Sequence, residues 1–162
     1  MNSLNFNKSL IFYTVVSILI SASLQAQDLP ANLQAALFKK IFAFDKTLES
    51  KQIEVVVLGS GDGIVAAFKE AGISAKAVSG NQLPAGVNVV YVNQGVTATK
   101  SQSASKGVLS ISGTVSLVEN GQVAIGLTVE GGKPKIVVNL PQLKAEGHEI
   151  AADLLKIAKI IQ

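Results

Sequence analysis

The sequence of 162 residues contains no cysteine, no tryptophan, no arginine and a single histidine. Without cysteine there are no disulfides, thiolate metal sites, iron–sulfur clusters or cysteine nucleophiles. One histidine excludes a zinc site built from several histidines of one chain. The lack of arginine removes the planar guanidinium that commonly binds carboxylates and phosphates. These absences favour a binding or structural role over catalysis.

The N-terminal stretch has the pattern of a secretory signal peptide. Lys8 is its only charged residue, an apolar run covers positions 10–20, and small and polar residues continue to Ala26. This order predicts cleavage after Ala26, which leaves a single domain over residues 27–162. The alternative is an uncleaved membrane anchor, but the run is well short of the roughly 20 residues that span a bilayer. We therefore expect an exported chain that is not inserted in the membrane after cleavage.

Loss of the signal peptide would lower the net charge from +3 to +2, because Lys8 leaves with it. A chain so close to neutrality lacks the clustered basic residues that mark a nucleic-acid-binding surface. No nucleic-acid partner is therefore expected.

The order of apolar segments predicts an α/β fold. After a first helix that opens at residues 28–30, strands alternate with helical segments, at 53–58, 75–78, 87–92 and 107–112. This alternation is typical of a mostly parallel sheet with helices on both faces. An extended segment is expected at 115–118, and alternating runs at 122–129 and 135–139 predict an appended antiparallel hairpin. A closing helix over 150–161 should face inward through Ile150, Leu154, Ile157 and Ile161.

The first helix is apolar on two sides. Its main stripe recurs every three to four residues, at Leu33, Leu37, Ile41, Phe44 and Leu48. Phe38 and Phe42 lie about 100° round from that stripe. One interpretation is a helix wedged between the sheet and another helix. The other is that Phe38 and Phe42 contact a partner protein or a second copy of the chain, in which case Phe42→Glu should abolish that contact and leave folding intact.

The loop from Gly59 to Gly63 follows a strand and opens a helix, where phosphates often bind. Its glycine spacing departs from the dinucleotide pattern GxGxxG, because the third glycine comes one residue early. No acidic residue stands at the end of the next strand to bind a ribose. A tight strand-to-helix turn is therefore favoured over a nucleotide site, and no cofactor is expected.

His148 lies among the acidic residues Glu146, Glu149 and Asp153. Such a group could hold a metal ion, but it is short of nitrogen ligands. An exposed polar cluster at the start of a helix is the favoured interpretation. The serines at 101, 103 and 105 are interpreted as solvated loop residues, because no GxSxG nucleophile motif exists. No catalytic or metal-binding residue is predicted.

Several segments resemble the YfiR/HmsC-like family of small exported bacterial proteins. They are residues 35–44 in the first helix, 55–59 and 107–112 in strands, 121–127 and 135–140 in the hairpin, then Gly147 and 154–158. The chain departs from the family's pattern at Glu49-Ser50-Lys51, where many members have Trp-Pro. It also lacks the cysteines through which the best-studied type links folding to periplasmic redox state.

The resemblance implies a compact α/β protein of the periplasm that is often a homodimer. It further implies that the protein restrains a membrane-bound diguanylate cyclase by binding its periplasmic domain, with histidine kinases or transport systems as other partners in the family. A regulatory binding protein is therefore the first hypothesis. The alternative is a periplasmic small-ligand-binding protein that uses the strand-end crevice near residues 59–63 and 93–95. A purely structural role in the cell envelope is a third.

Overall fold

The computed structural model describes residues 29–96 and 99–162, so the predicted signal peptide and its cleavage site lie outside the described residues. The helices are α1 (Ala31–Phe42), α2 (Asp62–Glu70), α3 (Lys100–Lys106), α4 (Val115–Glu119), α5 (Leu140–Ala145) and α6 (Ala152–Ile157). The strands are β1 (Glu54–Leu58), β2 (Ser74–Val78), β3 (Val89–Val92), β4 (Leu109–Ser112), β5 (Ile125–Glu130), β6 (Lys133–Asn139) and β7 (Lys159–Ile161). No helix within these ranges combines the length and apolar character of a membrane span.

The strands form one sheet in the order β2-β1-β3-β4-β5-β6-β7. Every neighbouring pair is parallel except β5 and β6, which form the antiparallel hairpin. Alternate side chains of the strands enter two separate apolar clusters, one under α1, α2 and α6 and the other against α4. This arrangement confirms the predicted α/β fold with a mostly parallel sheet and an appended hairpin.

Two elements differ from the expectation. The segment 115–118, expected to be extended, instead lies in the helix α4, because β4 and β5 are parallel and the chain must return along the sheet between them. The C-terminal helix ends at Ile157, and Lys159–Ile161 instead pairs with Val137–Asn139 as an edge strand. The inward orientation predicted for Ile157 is wrong, because 63% of that residue is exposed.

The two phenylalanines of α1 lie in the core. Phe38 is fully buried and Phe42 is 4% exposed. The Phe38 ring stacks on Phe42 with centroids 6.3 Å apart, and it also contacts Phe68 of α2 and Tyr91 of β3. These contacts agree with the first of the two interpretations, in which α1 lies between the sheet and another helix. Contact with a partner through these rings stays a prediction, and their burial in the single chain does not support it.

The main apolar stripe of the first helix is split between the core and the surface. Ile41 and Leu48 are buried, whereas Leu33 and Phe44 are more than a third exposed. The phenylalanine side of α1 faces inward because the helix packs against α2 and against side chains of the sheet, including Tyr91.

Candidate functional site

The carboxyl ends of β1, β3 and β4 surround an open crevice of about 520 Å³. Its lining comprises residues 60–64 after β1, 93–94 after β3 and 113–114 after β4, with Tyr91 and with Leu29, Ala31 and Gln34 from the start of α1. β1 pairs with β2 on one side and with β3 on the other, so the crevice lies where the strand order reverses. Open α/β sheets bind ligands at this position. A crevice therefore exists where the sequence placed one, at the turns near residues 59–63 and 93–95.

A chain of hydrogen bonds fixes one wall of the crevice. The Tyr91 hydroxyl donates to Oε1 of Gln34 over 2.7 Å, and it accepts the Gly113 N–H over 3.1 Å. Nε2 of Gln34 donates to the Leu29 carbonyl over 2.6 Å. Gln34 and Tyr91 are both buried. These bonds join the start of α1 to β3 and to the turn after β4, so the wall does not depend on apolar packing alone.

Two glycines in the lining are required by close packing. A Cβ atom on Gly61 would lie 2.4 Å from Cγ1 of Val57 and 2.9 Å from Nδ2 of Asn93. A Cβ atom on Gly113 would lie 2.3 Å from Oε1 of Gln34. All three distances are shorter than the contacts that real Cβ atoms make, so any larger residue at either position forces its neighbours to move. The glycine-rich loop after β1 thus has a packing reason that requires no bound phosphate.

The lining is polar but carries little charge. Asp62 is the one charged side chain among the lining residues, and it is exposed. The remaining polar side chains are amides and hydroxyls, from Ser60, Gln34, Tyr91, Asn93, Gln94 and Thr114. This set can form hydrogen bonds with a small polar molecule. The lining residues include no imidazole, amine or thiol, so the carboxylate of Asp62 is the one side chain among them that could act as a base.

The residues around His148 lie elsewhere and do not form the exposed cluster that the sequence favoured. His148 is buried, with Nδ1 2.6 Å from Oδ2 of Asp45 and Nε2 3.3 Å from the Gly107 carbonyl oxygen. Two nearby acids pair separately at the surface, Glu149 with Lys46 and Asp153 with Lys156. The described residues contain no group of three or more side chains suited to a metal ion.

Glu146 is also buried, contrary to expectation. Its carboxylate accepts hydrogen bonds from the Ser110 hydroxyl over 2.5 Å and from the Ser110 N–H over 3.0 Å. Nε2 of Gln142 donates to it over 2.7 Å. Ser103, interpreted as a solvated loop residue, is fully buried in α3 and accepts from the same amide over 3.4 Å. These residues fasten α3 and α5 to β4, so their role is structural.

A family model described as YfiR/HmsC-like matches residues 32–159. The match covers β1 to β6 in full, all but the first residue of α1, and only the first residue of β7. No curated protein matches the chain significantly in sequence.

One solved structure with a similar fold is described as the ABC domain in complex with L-Trp from Streptococcus pneumonia. It superposes with a TM-score of 0.56 at 15% identity, over 82% of this chain and 62% of that chain. At this identity the likeness shows the shared fold alone.

Proposed function

Because the chain belongs to the YfiR/HmsC-like family, we propose that it is an exported, non-enzymatic regulator that binds the periplasmic domain of an inner-membrane signalling protein. The partner would be of the diguanylate cyclase or histidine kinase type. The family match over residues 32–159 carries the proposal, since the family regulates diguanylate cyclase signalling from the periplasm. The lining of the crevice supports it, because its side chains are mostly amides and hydroxyls that can form hydrogen bonds, with Asp62 as the one charged group.

The mechanism we propose is preferential binding to one conformation of the receptor. A protein that binds the inactive conformation more tightly shifts the receptor toward that state, without any chemical step. A hundredfold preference corresponds to about 2.7 kcal/mol. Such a preference depends on a rigid surface of the correct shape. It does not need reactive side chains.

The test is recovery of a partner from solubilised inner membranes on the immobilised mature chain, at several salt concentrations. An unrelated exported protein with the same tag is the control. We expect specific recovery of an inner-membrane signalling protein. We also expect that deleting the gene raises cyclic di-GMP if the partner is a diguanylate cyclase. Recovery of no inner-membrane protein at any salt concentration would contradict the proposal.

The crevice supports a second candidate function, that of a periplasmic small-ligand-binding protein. Its position at the reversal of strand order is the observation in favour, because sheets of this kind bind ligands there. A screen of thermal stability with amino acids, including L-Trp, and with sugars, nucleotides and metal ions tests it. A true ligand at 100 times its dissociation constant should add about 2.7 kcal/mol.

The matched control for that screen is Gln94→Trp. Gln94 lines the crevice but is exposed, so the large ring should obstruct the crevice without disturbing the fold. We expect any stabilisation by a ligand to disappear in this variant. If no compound raises the thermal stability of the wild-type chain, the second candidate function is contradicted.

A further inference from the structure

A second cavity lies at the other end of α1 from the crevice. The helix begins beside the crevice, which Gln34 lines, and it ends at a pocket of about 320 Å³ that Phe42 lines. The other walls of this pocket come from the segment 48–53 and from residues 72–74, which lead into β2. We call it the basal pocket. Its volume lies at the lower end of the range for small-molecule sites, about 300–1,000 Å³, so it can hold one small molecule.

The floor of the basal pocket is apolar. Phe42, Leu48 and Ile73 are each less than a tenth exposed and belong to the cluster under α1, and the half-buried Ile53 packs against the same cluster. The packing of the core therefore fixes the shape of the floor. An apolar group that enters the pocket leaves water for these side chains, which is favourable in proportion to the apolar area that is covered. The floor thus selects a ligand with an apolar body.

The rim of the basal pocket carries two lysines. Lys39 reaches from α1 to α2, where its ammonium donates to the Ala71 carbonyl over 2.6 Å, and two of its three N–H donors remain. The ammonium of Lys51 is exposed and has no hydrogen bond or ion pair within the described part of the chain. Glu49 is the one acid among the lining residues. Two ammonium groups against one carboxylate leave the rim with one positive charge.

The carboxyl ends of α1 and α2 lie beside the basal pocket, and a helix C-terminus by itself favours cations. The chain already supplies these cations, because Lys39 and Lys40 stand in the last turn of α1 and Lys69 in the last turn of α2. Lys39 also occupies the carbonyl of Ala71, which caps α2. The charge left unbalanced at the rim is therefore positive, and it selects an anion.

We propose that the basal pocket binds a small amphiphilic monoanion, a carboxylate with an apolar body. The carboxylate accepts hydrogen bonds from the ammonium groups of Lys39 and Lys51, and the exposed hydroxyl of Ser74 in the lining is a further donor. Charge-assisted hydrogen bonds are about twice as strong as neutral ones. The apolar body lies on the floor. Because the crevice is at the other end of α1, this ligand does not compete with a ligand of the crevice.

A series of eight-carbon compounds tests the class of ligand on the exported, processed chain. Isothermal titration calorimetry compares octanoate with acetate, which lacks the apolar body, with 1-octanol, which lacks the charge, and with octylammonium, which reverses it. We expect octanoate to bind most tightly, with a negative change in heat capacity because apolar surface is buried. Octanoate that does not bind at millimolar concentration, or that binds no better than the other three compounds, would overturn the proposal.

Two pairs of substitutions test the location. Lys51→Glu should weaken the binding of octanoate at least about tenfold, because a hydrogen bond to a charged group is lost. Its control is Lys40→Glu, which changes an exposed lysine of α1 outside the lining. Ala43→Trp, at an exposed position of the lining, should fill the pocket and abolish binding. Its control is Ala36→Trp, at an exposed position earlier in the same helix, and both controls should bind octanoate as the wild type does.

Circular dichroism checks that each variant is folded, and if Ala43→Trp is not, the lysine pair decides. Gln94→Trp, which obstructs the crevice, should retain the wild-type affinity for octanoate. Loss of binding in Gln94→Trp would assign octanoate to the crevice and overturn the proposal. Binding that is unchanged in Lys51→Glu and in folded Ala43→Trp would overturn it as well.

Discussion

Asp45 and His148 are 103 residues apart in the sequence, yet their side chains meet at 2.6 Å and neither is accessible to solvent. Asp45 also accepts the Thr47 N–H over 2.8 Å through its other oxygen. The same connection is repeated at the surface by the neighbouring residues Lys46 and Glu149, which form an exposed ion pair. One buried pair and one exposed pair therefore join the end of α1 to the segment that precedes α6.

This duplication predicts unequal effects of two similar substitutions. Asp45→Ala removes the acceptor of a buried imidazole, so we expect the free energy of unfolding to fall by about 3 kcal/mol. Glu149→Ala breaks an ion pair in which both side chains are more than half exposed, and we expect a loss below about 1 kcal/mol. Urea denaturation of the mature chain measures both. Equal losses of unfolding free energy in the two variants would contradict the prediction that the buried pair stabilises the fold more than the exposed pair.

The phenylalanines of α1 give a second prediction. Because Phe42 is 4% exposed and stacks on Phe38, Phe42→Glu would bury a carboxylate without a partner, and we expect the chain to lose its fold. Phe38→Ala should cost about 4 kcal/mol. The matched control is Phe44→Glu, which changes a residue that is 39% exposed and should leave the fold intact. Far-UV circular dichroism and urea denaturation distinguish these outcomes.

The opposite result for Phe42→Glu would restore the interface interpretation. A variant that folds as the wild type does but no longer recovers a membrane partner would place this ring in a contact with another molecule. Loss of the fold would confirm the core position that the ring occupies in the single chain.

Much of the fold could be predicted because its signals are local. The run Val55–Leu58 is rich in β-branched residues, as a strand buried on both faces requires. The alternation in β5 and the glycine pair that follows it identify the hairpin. The sequence does not predict the edge strand Lys159–Ile161, because three residues are too few to show the alternation of apolar and polar side chains that marks a strand. Only pairing with β6 defines it.

The site was predictable in its position and not in its details. The ends of parallel strands meet at one edge, so the turns after β1 and β3 were expected to be close. Gln34 gave no signal, because a single amide in a helix is ordinary, and its partner Tyr91 lies 57 residues away. The burial of His148 was missed for the same reason. Its neighbours in sequence are acidic, and the residue that compensates its burial is far along the chain.

The corrected end of α6 gives a third prediction. Leu154 is 3% exposed whereas Ile157, one helical turn later, is 63% exposed. We expect Leu154→Ala to cost about 3 kcal/mol, because it leaves a cavity in the core. Ile157→Ala should change the free energy of unfolding by less than about 0.5 kcal/mol, as surface substitutions do. If urea denaturation gives the same loss of unfolding free energy for both variants, the result would contradict the strand at Lys159–Ile161 and favour a continuous amphipathic helix.

Two glycines at the crevice give the last prediction. Gly113→Ala places a Cβ atom 2.3 Å from Oε1 of Gln34 and 2.7 Å from the Tyr91 hydroxyl, so it must push apart the bond between those two side chains. We expect a loss of about 2 kcal/mol, as for overpacking elsewhere. Gly63→Ala meets no atom within 4 Å and lies in the first turn of α2, where alanine restricts the unfolded chain and favours the helix. That control should be neutral or up to about 1 kcal/mol more stable. Thermal unfolding of both variants measures this. If Gly113→Ala were as stable as the control, the hydrogen-bonded wall would not be rigid, and a ligand would have to organise the crevice on binding.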